Sequence, residues 1–102
     1  MLHTRIKICG ITRPDDARAV VDSGADAIGL VFYAGSPRAV TVEQAAEIVQ
    51  AVSPFVTVVA LFVDEPAQNV ERTLQALSVD LLQFHGDENS DYCRSFNRPW
   101  LK

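Results

Sequence analysis

Short apolar runs alternate with stretches whose apolar residues recur every three to four positions, and the switch repeats along the whole chain. Runs of the first kind suit strands and stripes of the second suit amphipathic helices, so the pattern predicts alternating β and α elements. A first strand is expected from about Arg5 to Cys9, with Ile6 and Ile8 on one face and Arg5, Lys7 and Cys9 on the other. Gly10 opens a loop. Thr12 and Asp15 have the spacing of a capping box, Pro14 suits a first turn, and Ala17, Val20 and Val21 form a stripe that Gly24 ends. The second strand, Ala27 to Phe32, is almost continuously apolar, as in a parallel sheet covered on both faces. Beyond a Gly-Ser-Pro loop, Thr41 and Gln44 start the clearest helix, with Ala45, Ile48, Val49 and Val52 on one face. Phe55 to Val63 is rich in β-branched residues and reads as a third strand, followed by the helix-start signal Asp64-Glu65-Pro66 and the stripe Val70, Leu74, Leu77. A fourth strand, Leu81 to His85, precedes Gly86 and a short helix around Ser90 to Phe96, and Trp100 to Lys102 reads as the start of a fifth strand. The segment Ser23 to Ala27 echoes Leu77 to Leu81, a trace of an internal βα repeat.

Strict βα alternation implies parallel strands with right-handed crossovers, and both a closed eight-fold barrel and an open doubly wound sheet satisfy it. Gly10 is the sole glycine in the first strand-to-helix turn, so neither phosphate fingerprint of open nucleotide-binding sheets is present. The balance tilts to the barrel. Such barrels usually need about 200 residues or more. The expected class is therefore α/β of the (βα)8 TIM-barrel type, with residues 1–102 forming the N-terminal half of a single barrel domain: four βα units and the beginning of a fifth strand. A half barrel exposes strand edges and its inner face, so self-association is a further expectation.

A hydrophobic content of 48% with 22% charged residues supports a packed core. Thirteen acidic against nine basic residues give a net charge of −4, which disfavours nucleic acid and anionic membrane surfaces as partners. The apolar stretch Val56 to Val63 is interrupted by Thr57 and falls far short of the roughly 18 residues of a membrane span. Met1 to Lys7 alternates charged and apolar groups, unlike a secretory leader, so a cytoplasmic location is expected. Cys9 and Cys93 are far apart and form no cluster with histidine, which suits free thiols and implies neither metal nor cofactor.

In parallel α/β folds the loops after the carboxyl ends of the strands build the active site, and the polar residues there are Cys9, Arg38 and His85. An unperturbed thiol has a pKa of about 8.5, and a nearby cation, for which Lys7 is a candidate, brings it into the working range of a general base. Taken alone, a free cysteine is more often a buried packing residue. Arg38 carries a planar fork of donors suited to a carboxylate, the alternative being a solvated loop arginine. His85 reads equally as a structural or a site-lining residue. Cys93, near Tyr92 and Phe96, suits packing, and Asp87 and Glu88 read as a solvated turn.

Lys7-Ile8-Cys9-Gly10-Ile11-Thr12, followed by Asp16-Ala17, resembles the opening motif of phosphoribosylanthranilate isomerases. Gly24 to Phe32, Ser36-Pro37-Arg38 and Gln83-Phe84-His85-Gly86 resemble the family's next three signatures, in order and over nearly the whole chain. The resemblance implies a (βα)8 barrel of tryptophan biosynthesis that catalyses the Amadori rearrangement of N-(5-phosphoribosyl)anthranilate to 1-(2-carboxyphenylamino)-1-deoxyribulose 5-phosphate. It implies that Cys9 is the general base taking the sugar C2 proton and that Arg38 binds the anthranilate carboxylate; His85 stays a candidate substrate-binding residue by its place at the end of the fourth strand, with no proton transfer assigned to it. It also puts the general acid, an aspartate, on a later strand, and the phosphate loops after strands seven and eight. None of these falls within residues 1 to 102, so the chain alone is expected to be inactive. The competing readings are a flavodoxin-like binding or regulatory domain, which calls for a completed fifth strand and helix, and a self-assembling half barrel without catalysis.

Overall fold

The computed structural model describes residues 5–52 and 54–102; of the Met1 to Lys7 segment weighed above as a leader, residues 1–4 lie outside them. Among the described residues five strands and four helices alternate: β1 (Lys7–Cys9), α1 (Pro14–Asp22), β2 (Ala27–Val31), α2 (Val42–Ala51), β3 (Thr57–Phe62), α3 (Ala67–Ala76), β4 (Leu81–Phe84), α4 (Ser90–Arg94) and β5 (Trp100–Leu101). The strands form one sheet in the order β1-β2-β3-β4-β5, and every pairing is parallel. This is the succession of a βα barrel rather than the rearranged order of a doubly wound sheet.

Each strand is shorter than its apolar run. Phe55, expected in the third strand, precedes β3 and is 95% exposed. Arg5 and Ile6 fall before β1, where the Asp26 carboxylate accepts the Ile6 N–H at 2.8 Å and the Ile6 carbonyl accepts the Asp26 N–H at 2.9 Å. The same arrangement recurs two strands later: the Asp80 carboxylate takes the Val58 N–H at 2.9 Å, and the Val58 carbonyl takes the Asp80 N–H at 2.9 Å. The sequence echo around Asp26 and Asp80 is thus a repeated clasp between the amino ends of adjacent strands.

Helix starts follow their local chemistry. Thr41 caps α2 as expected: its side chain accepts the Gln44 N–H at 3.1 Å, and the Gln44 side chain accepts the Thr41 N–H at 2.8 Å. The Thr12–Asp15 capping box does not form. Pro14 occupies the first helical position, which makes Arg13 the cap residue and leaves Thr12 one position too early. Asp15 and Asp16 instead place negative charge in the first turn, where the helix dipole favours it. At the other end, Gly24 (φ +106°) donates to the Val21 carbonyl at 2.9 Å and Ala25 to that of Val20 at 3.0 Å, a Schellman closure that needs a left-handed residue.

The core lies between the sheet and its helices. Ile28, Leu30, Val58, Ala60, Phe62, Leu82 and Phe84 face Ala17, Ala45, Ile48, Val70, Leu74 and Cys93, all buried. A row of rings, Phe32, Phe62, Phe84 and Phe96, runs through it with centroids 5.5 to 6.4 Å apart. Alternate residues point to the opposite, inner face. There the Lys7 ammonium of β1 donates to the Gln83 side chain of β4, although two strands separate them. Such a contact requires the sheet to curl, and it marks the inner face as the concave one. Among the described residues no helix is long and apolar enough to cross a membrane.

Candidate active site

Cys9 closes β1, on the same strand face as Lys7 and opposite Gly29 of β2. Gly29 is buried and has no side chain to fill the concave face; a β-carbon there would stand 2.9 Å from the Cys9 sulfur. The thiol therefore occupies the space that any other residue at position 29 would take. Cys9 remains partly exposed. Directly after it the chain turns through Gly10, whose φ of +84° lies in the left-handed region, and the Gly29 carbonyl accepts both the Gly10 N–H at 3.0 Å and the Ile11 N–H at 3.3 Å.

Arg38 reaches this turn from the loop after β2. The loop folds back because the Ser36 N–H donates to the Tyr33 carbonyl at 3.0 Å and the Ser36 hydroxyl accepts the Arg38 N–H at 3.1 Å. Ala39 then bridges to Val31, and the Val31 carbonyl takes the Val40 N–H at 2.9 Å. So anchored, the exposed guanidinium lies across Gly10, where a β-carbon would come within 2.5 Å of it, and donates to the Cys9 carbonyl at 3.4 Å. Cys9 and Arg38, distant in sequence, thus share one end of the fold. Lys7 shares the inner face but is engaged with Gln83, and the cation brought against the Cys9 backbone is Arg38.

His85 follows β4 at the same carboxyl ends, exposed, with its N–H held by the Phe62 carbonyl at 2.9 Å. It lines a pocket of about 220 Å³ with Phe84, Gly86 and Lys102. A larger hollow of about 540 Å³ occupies the opposite end of the concave face, between Arg5, Lys7, Asp26, Thr57 and Leu81, at the amino ends of the strands. Cys93 is fully buried, and burial, followed by the negative charge of Glu88, pushes its thiol pKa up, as befits a packing residue. Among the described residues no group of three or more His, Cys, Asp or Glu is placed to hold a metal ion.

Glu88 is not part of a solvated turn. Its side chain is 2% exposed and accepts the Asp64 N–H at 2.8 Å, the Gly86 N–H at 2.9 Å and the Lys102 ammonium at 3.0 Å. Burial alone would raise its pKa, but these donors together with its own N–H outweigh burial and hold the carboxyl below its ordinary value. Asp87 keeps its exposed position, with its N–H donating to the Asp64 carboxylate at 2.7 Å. Sequence spacing pointed to none of Glu88, Asp64, Lys102 or Gly29. The glycine before Asp87-Glu88 was the available signal, since a β-carbon on Gly86 would stand 2.5 Å from the Asp64 carboxylate.

Comparison with known proteins gives one consistent result. A family model described as N-(5'phosphoribosyl)anthranilate (PRA) isomerase matches residues 6–99. The N-(5'-phosphoribosyl)anthranilate isomerase of Alcanivorax borkumensis is 62% identical over 102 residues, covering 100% of this chain and 47% of the relative. The phosphoribosyl anthranilate isomerase crystal structure from Thermotoga maritima superposes with a TM-score of 0.89 at 39% identity, over 93% of this chain and 46% of that one. A phosphoribosyl anthranilate isomerase in complex with reduced 1-(o-carboxyphenylamino)-1-deoxyribulose 5-phosphate gives the same score and identity, covering 93% of this chain and 49% of that one. The chain spans about half the length of the curated relatives it matches.

Proposed function

We infer, from the premise that this chain belongs to the phosphoribosylanthranilate isomerase family, that it is the base-bearing N-terminal half of a single barrel domain catalysing the Amadori rearrangement of N-(5-phosphoribosyl)anthranilate. The observation that carries this reading is the Cys9 thiol at the carboxyl end of β1, lodged over Gly29, with the Arg38 fork folded across the adjoining Gly10. An acid from the complementary half protonates the ring oxygen and opens the ring to a C1 iminium. The Cys9 thiolate removes the C2 proton, the electron pair moves into the C1–C2 bond, and the resulting enolamine tautomerises to the 1-deoxyribulose product. Arg38 takes the anthranilate carboxylate and thereby sets C2 against the sulfur, and His85 lines the same mouth. The substrate is a phosphorylated sugar bearing an anthranilate, a compound related to the ligand of the complexed relative. A cytoplasmic location rests on the same family reading.

The test is to complete the barrel by joining this chain to the C-terminal half of the Alcanivorax borkumensis relative and to follow the loss of substrate fluorescence. The completed barrel is expected to turn over. Cys9→Ala should lower kcat by about 100- to 10,000-fold, as loss of a general base does, while a product analogue still binds. Near-normal kcat in that variant would end the assignment of Cys9 as base.

A further inference from the structure

The Glu88 carboxylate accepts hydrogen bonds from three segments that meet at the carboxyl ends of the strands. The Asp64 N–H comes from the loop after β3, the Gly86 N–H from the loop after β4, and the Lys102 ammonium from the residue after β5. Asp64 returns the contact by accepting the Asp87 N–H, and Lys102 also donates to the Gly86 carbonyl. The Glu88 side chain is 2% exposed and accepts from two backbone amides and an ammonium, charge-assisted bonds that tie three loop segments to one point more firmly than a surface ion pair ties two side chains. Two backbone features accompany it: Asp64 adopts φ +49°, and Gly86 lacks the β-carbon that would strike the Asp64 carboxylate, so the loops after β3 and β4 can lie against each other. His85, Gly86 and Lys102 line one pocket, so whatever fixes Gly86 and Lys102 also fixes the residue beside them.

We propose that Glu88 is a positioning residue of the active site, a buried clamp that joins the loops after β3 and β4 to Lys102 and thereby holds His85 at the mouth of the barrel. This rests on the isomerase reading only for its catalytic consequence; the clamp itself is a property of the loops.

Two measurements separate these. Amide hydrogen exchange on the full chain should show Asp64 and Gly86 exchanging at least about tenfold faster in Glu88→Ala, with Leu30 and Ala60 unchanged. Should that variant fail to fold, Glu88→Gln decides. It keeps the shape but offers one accepting oxygen, so at least one of the two amides should still exchange about tenfold faster while the β2 and β3 amides hold. Unchanged exchange at Asp64 and Gly86, or equal acceleration at all four positions, would overturn the clamp. In the completed barrel, Glu88→Gln and His85→Ala should each raise KM several-fold, and the double variant should do no more than the worse of the two. Additive effects would mean that Glu88 contributes stability without positioning His85. A completed barrel without isomerase activity would defeat the functional reading and leave the exchange result standing.

Discussion

A β-carbon on Gly29 would stand 2.9 Å from the Cys9 sulfur, and one on Gly10 would stand 2.5 Å from the Arg38 guanidinium, so both side chains occupy space that a larger neighbour would fill. This bears on what Arg38 can be exchanged for. A lysine carries the same charge on a flexible stem, but it has no planar fork to lie flat over Gly10 or to meet both oxygens of a carboxylate. Arg38→Lys in the completed barrel is expected to raise KM by about tenfold or more, in the range of one hydrogen bond to a charged group, with kcat little changed. Steady-state kinetics and the affinity of a product analogue check this, and an unchanged KM would return Arg38 to the role of a solvated loop residue.

The capping contacts at the helix starts differ in a way that thermal denaturation can read. Thr41 accepts an N–H of α2 and belongs to a complete capping box, whereas Thr12 stands one residue before the cap of α1. In the completed barrel Thr41→Ala should cost about 1 kcal/mol of stability, and Thr12→Ala should stay within about 0.5 kcal/mol. Equal losses would show that Thr12 contributes something its position outside the helix does not explain. The loops after β3 and β4 add a pH dependence. The Glu88 carboxyl is held below its ordinary value of 4.5, so the charged form is favoured by folding. Its contribution is fully present above the unfolded value and is lost as pH falls through the lower folded value. The thermal midpoint of the completed barrel should therefore exceed that of its Glu88→Gln variant at pH 7, and the difference should shrink as pH drops below about 4.5. A constant difference across that range would mean that the ionised form is not what folding prefers.

The whole sheet curls far enough for Lys7 of β1 to meet Gln83 of β4, yet Ile6, Ile8 and Leu101 remain 49%, 36% and 47% exposed. Ile6 precedes the first strand, and Ile8 and Leu101 lie within the first and last strands, where a closed barrel would supply neighbours. The chain by itself is expected to form dimers or larger assemblies and to show no isomerase turnover, since the acid and the phosphate loops belong to the other half of the proposed barrel. Light scattering and the fluorescence assay on the purified chain test both parts. A monodisperse monomer with a sharp, cooperative unfolding transition would refute the first, and robust turnover the second.

How far the sequence reaches is visible in particular residues. The alternation of apolar runs and stripes located every strand and helix, because burial on one stripe or on both sheet faces dictates spacing directly. Ordered motifs around Cys9, Arg38 and His85 carried the family, and the Asp26–Asp80 echo carried a real structural repeat. Local chemistry also determined α2, since Thr41 and Gln44 lie three residues apart and need nothing distant to bond each other. Other features depended on residues far apart in the chain. The contact of Arg38 with Cys9, the emptiness of Gly29 that admits the thiol, and the burial of Glu88 among Asp64, Gly86 and Lys102 join loops from different βα units. Spacing along one segment cannot encode such meetings. A carboxylate that reads as solvated beside Asp87 becomes buried only when parallel pairing brings the ends of β3, β4 and β5 together, and there three donors offset the cost of taking its charge out of water.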